Sequence, residues 1–250
     1  MTTSVLLLAG TTEATELARL LHEEPGTDVV ASFAGRVAAP RLLPCRTRVG
    51  GFGGVDGLVT ALRDGGYDRL VDATHPFAAQ MSAHAVAAAR TADVPHLRLL
   101  RPAWTPAAGD RWHEVDDLAA AAAWLTTHDV RTAFLATGRQ DVAAFAEVPD
   151  VRFVVRSIDA PTTPADLPDA TFVRARGPFD VRTEVALLRE HAIEVVVARN
   201  SGGDATRAKL VAARELGLPV VMARRPPTPP GARVVATVAD AVAWVRRAIA

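Results

Sequence analysis

The sequence is poor in several things, and each scarcity removes a class of function. Its single cysteine, Cys45, excludes an internal disulfide and any cysteine-based metal cluster, so nothing calls for an oxidising compartment. No apolar run approaches the roughly 20 residues that span a bilayer, and the apolar start lacks the basic region of a signal peptide. A cytoplasmic protein without membrane contact is the expectation. The 28 basic and 28 acidic residues cancel, leaving no overall basic field to hold nucleic acid. Lysine is nearly absent, Lys209 standing alone, and with the abundant alanine this bias reads most simply as a GC-rich coding sequence. A nucleophile elbow, paired catalytic carboxylates and a P-loop are all missing. His22, His84, His96, His113, His128 and His191 are scattered without metal-ligand spacing and read as structural or exposed. Covalent and metal catalysis therefore have no support in the sequence.

What is present is a rhythm. Apolar strand-like runs at 5–9, 28–33, 46–49, 70–73 and 95–100 alternate with helical patterns at 13–23, 56–64 and 77–91. The prolines and glycine of 101–109 interrupt that alternation and read as a linker. A second series comes after it, with helices at 116–126, 142–145, 180–191 and 205–216 and strands at 132–136, 152–156, 172–175, 195–198 and 220–223. A proline-rich bend at 226–230 leads to a closing amphipathic helix at 238–248, with Trp244 on its apolar side. The pattern predicts an α/β protein of two Rossmann-like units, 1–100 and 101–250, each a mostly parallel sheet flanked by helices. The last helix can cover either sheet. An interdomain cleft at the carboxyl ends of both sheets is the expected active site.

The strand ends carry the chemistry. The first strand passes into Gly10-Thr11-Thr12-Glu13 and then a helix. One glycine is not a dinucleotide fingerprint, so this turn fits either a simple helix cap or a pyrophosphate cradle at the positive helix end. Strand two ends in Ser32-Phe33-Ala34-Gly35-Arg36, without the acid that grips a ribose 2′-hydroxyl; an arginine there suits a 2′-phosphate, favouring NADPH over NADH. Strand three ends in Gly50-Gly51-Phe52-Gly53-Gly54, which permits close approach of a ligand or forms a flexible loop. Strand four ends in Asp72-Ala73-Thr74-His75-Pro76, where a nicotinamide is expected to arrive, with Pro76 suited to a helix first turn. In the second series the same logic selects Thr137-Gly138-Arg139, Gly177-Pro178-Phe179 and Asn200-Ser201-Gly202-Gly203. The last of these continues to Arg207 and Lys209, as an anion site or as a cap with a solvated cationic face.

Taken together, Leu8-Ala9-Gly10-Thr11-Thr12-Glu13-Ala14, Ala34-Gly35-Arg36, Gly50-Gly51-Phe52-Gly53, Asp72-Ala73-Thr74-His75-Pro76-Phe77-Ala78, Thr137-Gly138-Arg139 and Asn200-Ser201-Gly202-Gly203 with Lys209 resemble the precorrin-6A reductases of cobalamin biosynthesis. The resemblance runs over nearly the whole chain. It implies hydride transfer from NADPH to a double bond of a tetrapyrrole, whose carboxylates would meet Arg139, Arg207 and Lys209, then Arg101 and Arg176. His75 is the expected proton donor, and a monomer or homodimer the expected assembly. Two alternatives stay open: a cobalt-bound form of the same substrate, and a non-catalytic NADP(H) sensor.

Overall fold

The computed structural model describes residues 2–34, 43–157, 167, 170–175, 177 and 179–247, without the side chains of 139 and 140. The chain divides into two compact units, 1–102 with 226–250, and 103–225. The first unit holds β1 (Thr3–Ala9), α1 (Thr12–Glu23), β2 (Thr27–Phe33), β3 (Arg46–Val49), α2 (Val55–Asp64), β4 (Arg69–Ala73), α3 (Ala79–Ala92) and β5 (His96–Leu99). The second holds β6 (Arg111–Val115), α4 (Leu118–Thr127), β7 (Thr132–Leu135), a 3-10 turn (Arg139–Phe145), β8 (Arg152–Ser157), β9 (Ala170–Arg174), α5 (Val181–Glu190), β10 (Val195–Arg199), α6 (Ala208–Glu215) and β11 (Pro219–Ala223). The chain then returns to the first unit with β12 (Val234–Val235) and α7 (Val238–Arg246).

Both sheets are wholly parallel among the described residues. The first runs β3-β2-β1-β4-β5-β12, the doubly wound order whose connections reverse between β1 and β4. The second runs β9-β8-β7-β10-β11-β6, reversing between β7 and β10. The expected two parallel-sheet α/β units are therefore present.

A strand covered on both faces must be apolar at every position, and β1 is: Val5, Leu7 and Ala9 face α1 and α7, whereas Leu6 and Leu8 face α2 and α3. The second sheet repeats this, with Leu135, Val155 and Val197 on one side and Phe134, Val154 and Val196 on the other. Each such buried Leu or Val contributes about 1.5–3 kcal/mol. Side-chain caps start the helices: Thr11, Asp117, Asp180 and Thr237 each accept the N–H three residues on.

The sequence reading ran the second unit to 250 and left the last helix free to cover either sheet; the C-terminal segment groups with the first unit. β12 adds to β5, and α7 buries Ala241, Val242, Trp244 and Val245 in the core of the first sheet. The Arg69 guanidinium lies 4.6 Å from the Trp244 ring centroid and donates to the Arg247 carbonyl, fixing that helix.

Candidate active site

In an open parallel sheet, ligands bind beyond the carboxyl ends of the strands at the point where the connections reverse. In the first unit that point lies between β1 and β4. Thr11 caps α1 by accepting from Ala14 N at 3.1 Å, and its hydroxyl donates to Ala73 O at 3.1 Å, tying the helix start to the end of β4. Gly10 sits in close quarters: a Cβ there would lie 3.4 Å from His75 N and 3.5 Å from Thr74 Cα. With Ala14 N satisfied by the cap and Thr15 N by Thr11 O, the N–H groups of Thr12 and Glu13 have no acceptor among the described residues. They are the unpaired donors of a helix N-terminus, facing the strand-end rim. The Glu13 carboxylate, which would repel an anion, is instead engaged by Arg101 at 2.6 Å, just beyond β5.

The β4 end is held from below. Asp72 is buried, and its Oδ1 accepts from Thr74 N at 3.0 Å and Thr74 Oγ1 at 2.6 Å, while Oδ2 lies 3.8 Å from Nε of buried Arg98 on β5. This cluster sets the turn that carries His75 and the buried Pro76. His75 is half-buried, and its Nδ1 accepts from Phe77 N at 3.3 Å, which puts the hydrogen of the neutral ring on Nε2. On the same face as Asp72, burial pushes the His96 imidazole below its ordinary value of 6.5; nearby Asp72 opposes this and Arg98 adds to it.

At the β2 and β3 ends, Ser32 is buried and accepts from Arg48 Nη1 at 3.0 Å. Arg48 also donates to Gly50 O at 3.2 Å and Gly51 O at 3.3 Å, and it lies 3.9 Å from the Phe52 ring centroid. The glycine loop is thus ordered by an arginine. Its far side is locked at Gly57, where any Cβ would fall 1.6 Å from the Phe52 carbonyl oxygen. Arg36, the sequence-derived partner for a 2′-phosphate, lies with Gly35 outside the described residues.

The second unit's reversal point is different. Arg199 at the end of β10 pairs with Asp141 of the 3-10 turn at 2.8 Å. Thr137 is 2% exposed, and its Oγ1 has no hydrogen-bond partner among the described residues. Gly138 comes next with open space around it, and Arg139 begins the 3-10 turn.

Asn200 and Lys209 both turn toward Trp104. Asn200 spends both amide ends on the Trp104 backbone, accepting from its N at 2.8 Å and donating to its O at 2.9 Å. Trp104 Nε1 donates to Gly203 O at 2.8 Å, and buried Lys209 donates to Thr206 O at 2.7 Å with its Nζ 4.8 Å from the Trp104 ring centroid. Lys209 is therefore not on a solvated cationic face. The cluster of small and cationic residues grips an indole, and Trp104 is the member that sequence reasoning placed only in a linker. Ser201 donates to Arg199 O at 3.2 Å, half-buried beside buried Gly202, and Arg207 is exposed. Arg176 and Pro178 lie outside the described residues; Phe179 lies 3.8 Å from Arg156, which pairs with buried Glu184.

These arrangements match known proteins. Residues 4–246 match the family model described as precorrin-6x reductase CbiJ/CobK. The precorrin-6A reductase of Rhodococcus erythropolis is 50% identical, covering 97% of this chain and 97% of its own length. That of Rhodobacter capsulatus is 48% identical, covering 97% and 96%. A solved structure of CobK precorrin-6A reductase superposes with a TM-score of 0.92 at 47% identity, over 97% of this chain and 96% of that chain. A family match across both units, supported by relatives near half identity and a shared fold, leads to one conclusion: this chain belongs to the precorrin-6x reductase CbiJ/CobK family.

Proposed function

We propose that the chain reduces a carbon–carbon double bond of the precorrin-6A macrocycle with NADPH, giving precorrin-6B. Family membership sets the reaction class, an oxidoreduction of a CH–CH group in cobalamin biosynthesis. The observation that carries the cofactor reading is the turn at Gly10. It offers two unpaired N–H groups at a helix start, with the nearest carboxylate neutralised by Arg101 and the β4 backbone in close contact. Gly10, Thr11, Thr12 and Glu13 would hold the pyrophosphate, Ser32 and Arg36 the adenosine ribose and its 2′-phosphate, Gly50, Gly51 and Phe52 the adenosine side, and Thr74, His75 and Pro76 the nicotinamide side. When bound, the reduced nicotinamide supplies a hydride, and a proton from another source completes the reduction.

His75 is the proposed proton source. Its Nδ1 accepts from Phe77 N, so the hydrogen of the neutral ring lies on Nε2. The second unit would receive the substrate's carboxylates through Thr137, Gly138, Arg139, Ser201, Gly202 and Arg207, with Asn200, Gly203 and Lys209 acting behind them by fixing Trp104. The buried Thr137 hydroxyl, without a hydrogen-bond partner among the described residues, supports a polar ligand at that strand end. No helix among the described residues is long and apolar enough to cross a membrane. A cytoplasmic enzyme, monomeric or homodimeric, acting on a small-molecule tetrapyrrole fits this reading.

The test is turnover with metal-free and with cobalt-bound precorrin-6A. Loss of the reduced-nicotinamide absorbance is expected with substrate present and not without it; binding of NADPH without consumption would favour a sensor. His75→Ala is expected to lower kcat about 100-fold or more with KM for NADPH little changed. Full kcat in that variant would transfer the proton role to water.

A further inference from the structure

We infer that Arg48, on β3, is a specificity-determining residue that reads the 2′-phosphate of the cofactor; this rests on the NADPH reading above. In a doubly wound sheet the adenosine ribose meets the end of the second strand, here Ser32-Phe33. The guanidinium of Arg48 is held at that place, 3.0 Å from Ser32 Oγ. Three of its five N–H groups are accounted for by Ser32, Gly50 O and Gly51 O, so two are left for an anion. The Phe52 ring at 3.9 Å and the two carbonyls preset its orientation, which lowers the entropy lost on binding.

Its charge has no carboxylate partner among the described residues, although the neighbouring Arg46 is paired with Asp28. A half-buried arginine fixed in place without a counter-ion among the described residues, beside a serine hydroxyl whose own hydrogen is left to donate, is the chemistry of a phosphomonoester site. Ser32 then acts twice, orienting Arg48 as acceptor and offering its O–H to the phosphate.

The experiment is calorimetric titration of the full chain with 2′,5′-ADP and 5′-AMP, which differ in the 2′-phosphate alone, for wild type, Arg48→Lys, Arg48→Ala and Arg36→Ala. Wild type is expected to prefer 2′,5′-ADP. Arg48→Ala should weaken 2′,5′-ADP roughly tenfold or more while changing 5′-AMP by about twofold or less, with Arg48→Lys in between. Equal losses on both ligands would show that Arg48 acts through the glycine loop and overturn the inference. An undiminished preference in both Arg48 variants would overturn it too, and a preference lost in Arg36→Ala would then assign the phosphate to Arg36. Wild-type protein that binds both ligands alike would instead overturn the NADPH reading itself.

Discussion

In the first unit the order β3-β2-β1-β4-β5 is completed by β12, which comes after the second unit in the chain; in the second, β9-β8-β7-β10-β11 is completed by β6, which precedes them. The two sheets are thus alike in order, and their reversal points differ in chemistry. Between β1 and β4 the tie is a neutral hydrogen bond from Thr11 to Ala73 O, and β1 leads into a 12-residue helix. Between β7 and β10 the tie is the Arg199–Asp141 ion pair, and β7 leads into a 3-10 turn of seven residues. A full helix start offers a concentrated set of N–H donors and a dipole; a short 3-10 turn offers neither. The same strand order therefore offers a helix N-terminus at one reversal point and an ion pair at the other.

Each unit also buries one arginine–carboxylate pair near its rim, and here the difference can be broken experimentally. Asp72–Arg98 joins two adjacent strands beneath Thr74 and His75, whereas Arg156–Glu184 joins β8 to α5 under Phe179. Removing one partner of a buried pair leaves the other charge uncompensated, at about 3–5 kcal/mol. Asp72→Ala and Glu184→Ala are both expected to lower unfolding free energy by that amount in denaturant titrations. Only Asp72→Ala should also weaken NADPH binding; equal effects of both variants on NADPH would erase the distinction between the rims. A smaller effect is expected at the cap. Thr11→Ala removes the bonds to Ala14 N and Ala73 O, which should cost about 1 kcal/mol and raise the NADPH dissociation constant, measured by fluorescence titration.

Acid sharpens the comparison last, as a slope with pH. His96 in the first unit is held below 6.5 by burial, so the folded protein binds fewer protons there than the unfolded chain. Its contribution to stability is fully present above about pH 6.5 and is lost as pH falls through the lower folded value. Hydrogen exchange resolved by unit should show the first unit loosening as pH falls below about 6.5, with His96→Gln flattening that slope. An unchanged slope in the variant would assign the acid response elsewhere.

The alternation of apolar runs and helical patterns made both units legible, because a doubly covered parallel strand such as Val5–Ala9 is apolar on both faces and stands out in a sequence. The two strands that escaped notice are the ones that complete the sheets. β6 lies on an edge and is polar and largely exposed, and β12 has two residues, so neither has a period to read. The turn at Gly10 was legible as a strand end, yet the pairing of Glu13 required Arg101, 88 positions away. Arg48 carried no signal of its own, since an arginine on a short exposed strand looks like solvent-facing charge. The partner of the Asn200–Lys209 stretch was not legible either. Small residues beside cations read alike whether they bind an anion or a tryptophan, and the partner Trp104 is 96 residues from Asn200.

The most direct measurement is transfer of label. With NADPH deuterated at the nicotinamide carbon that carries the transferable hydride, one deuterium is expected in the reduced macrocycle, appearing in step with NADP+ formation. A reduced product that carries no deuterium under the same conditions would contradict direct hydride transfer, and with it the reading of the first unit's rim as the nicotinamide site.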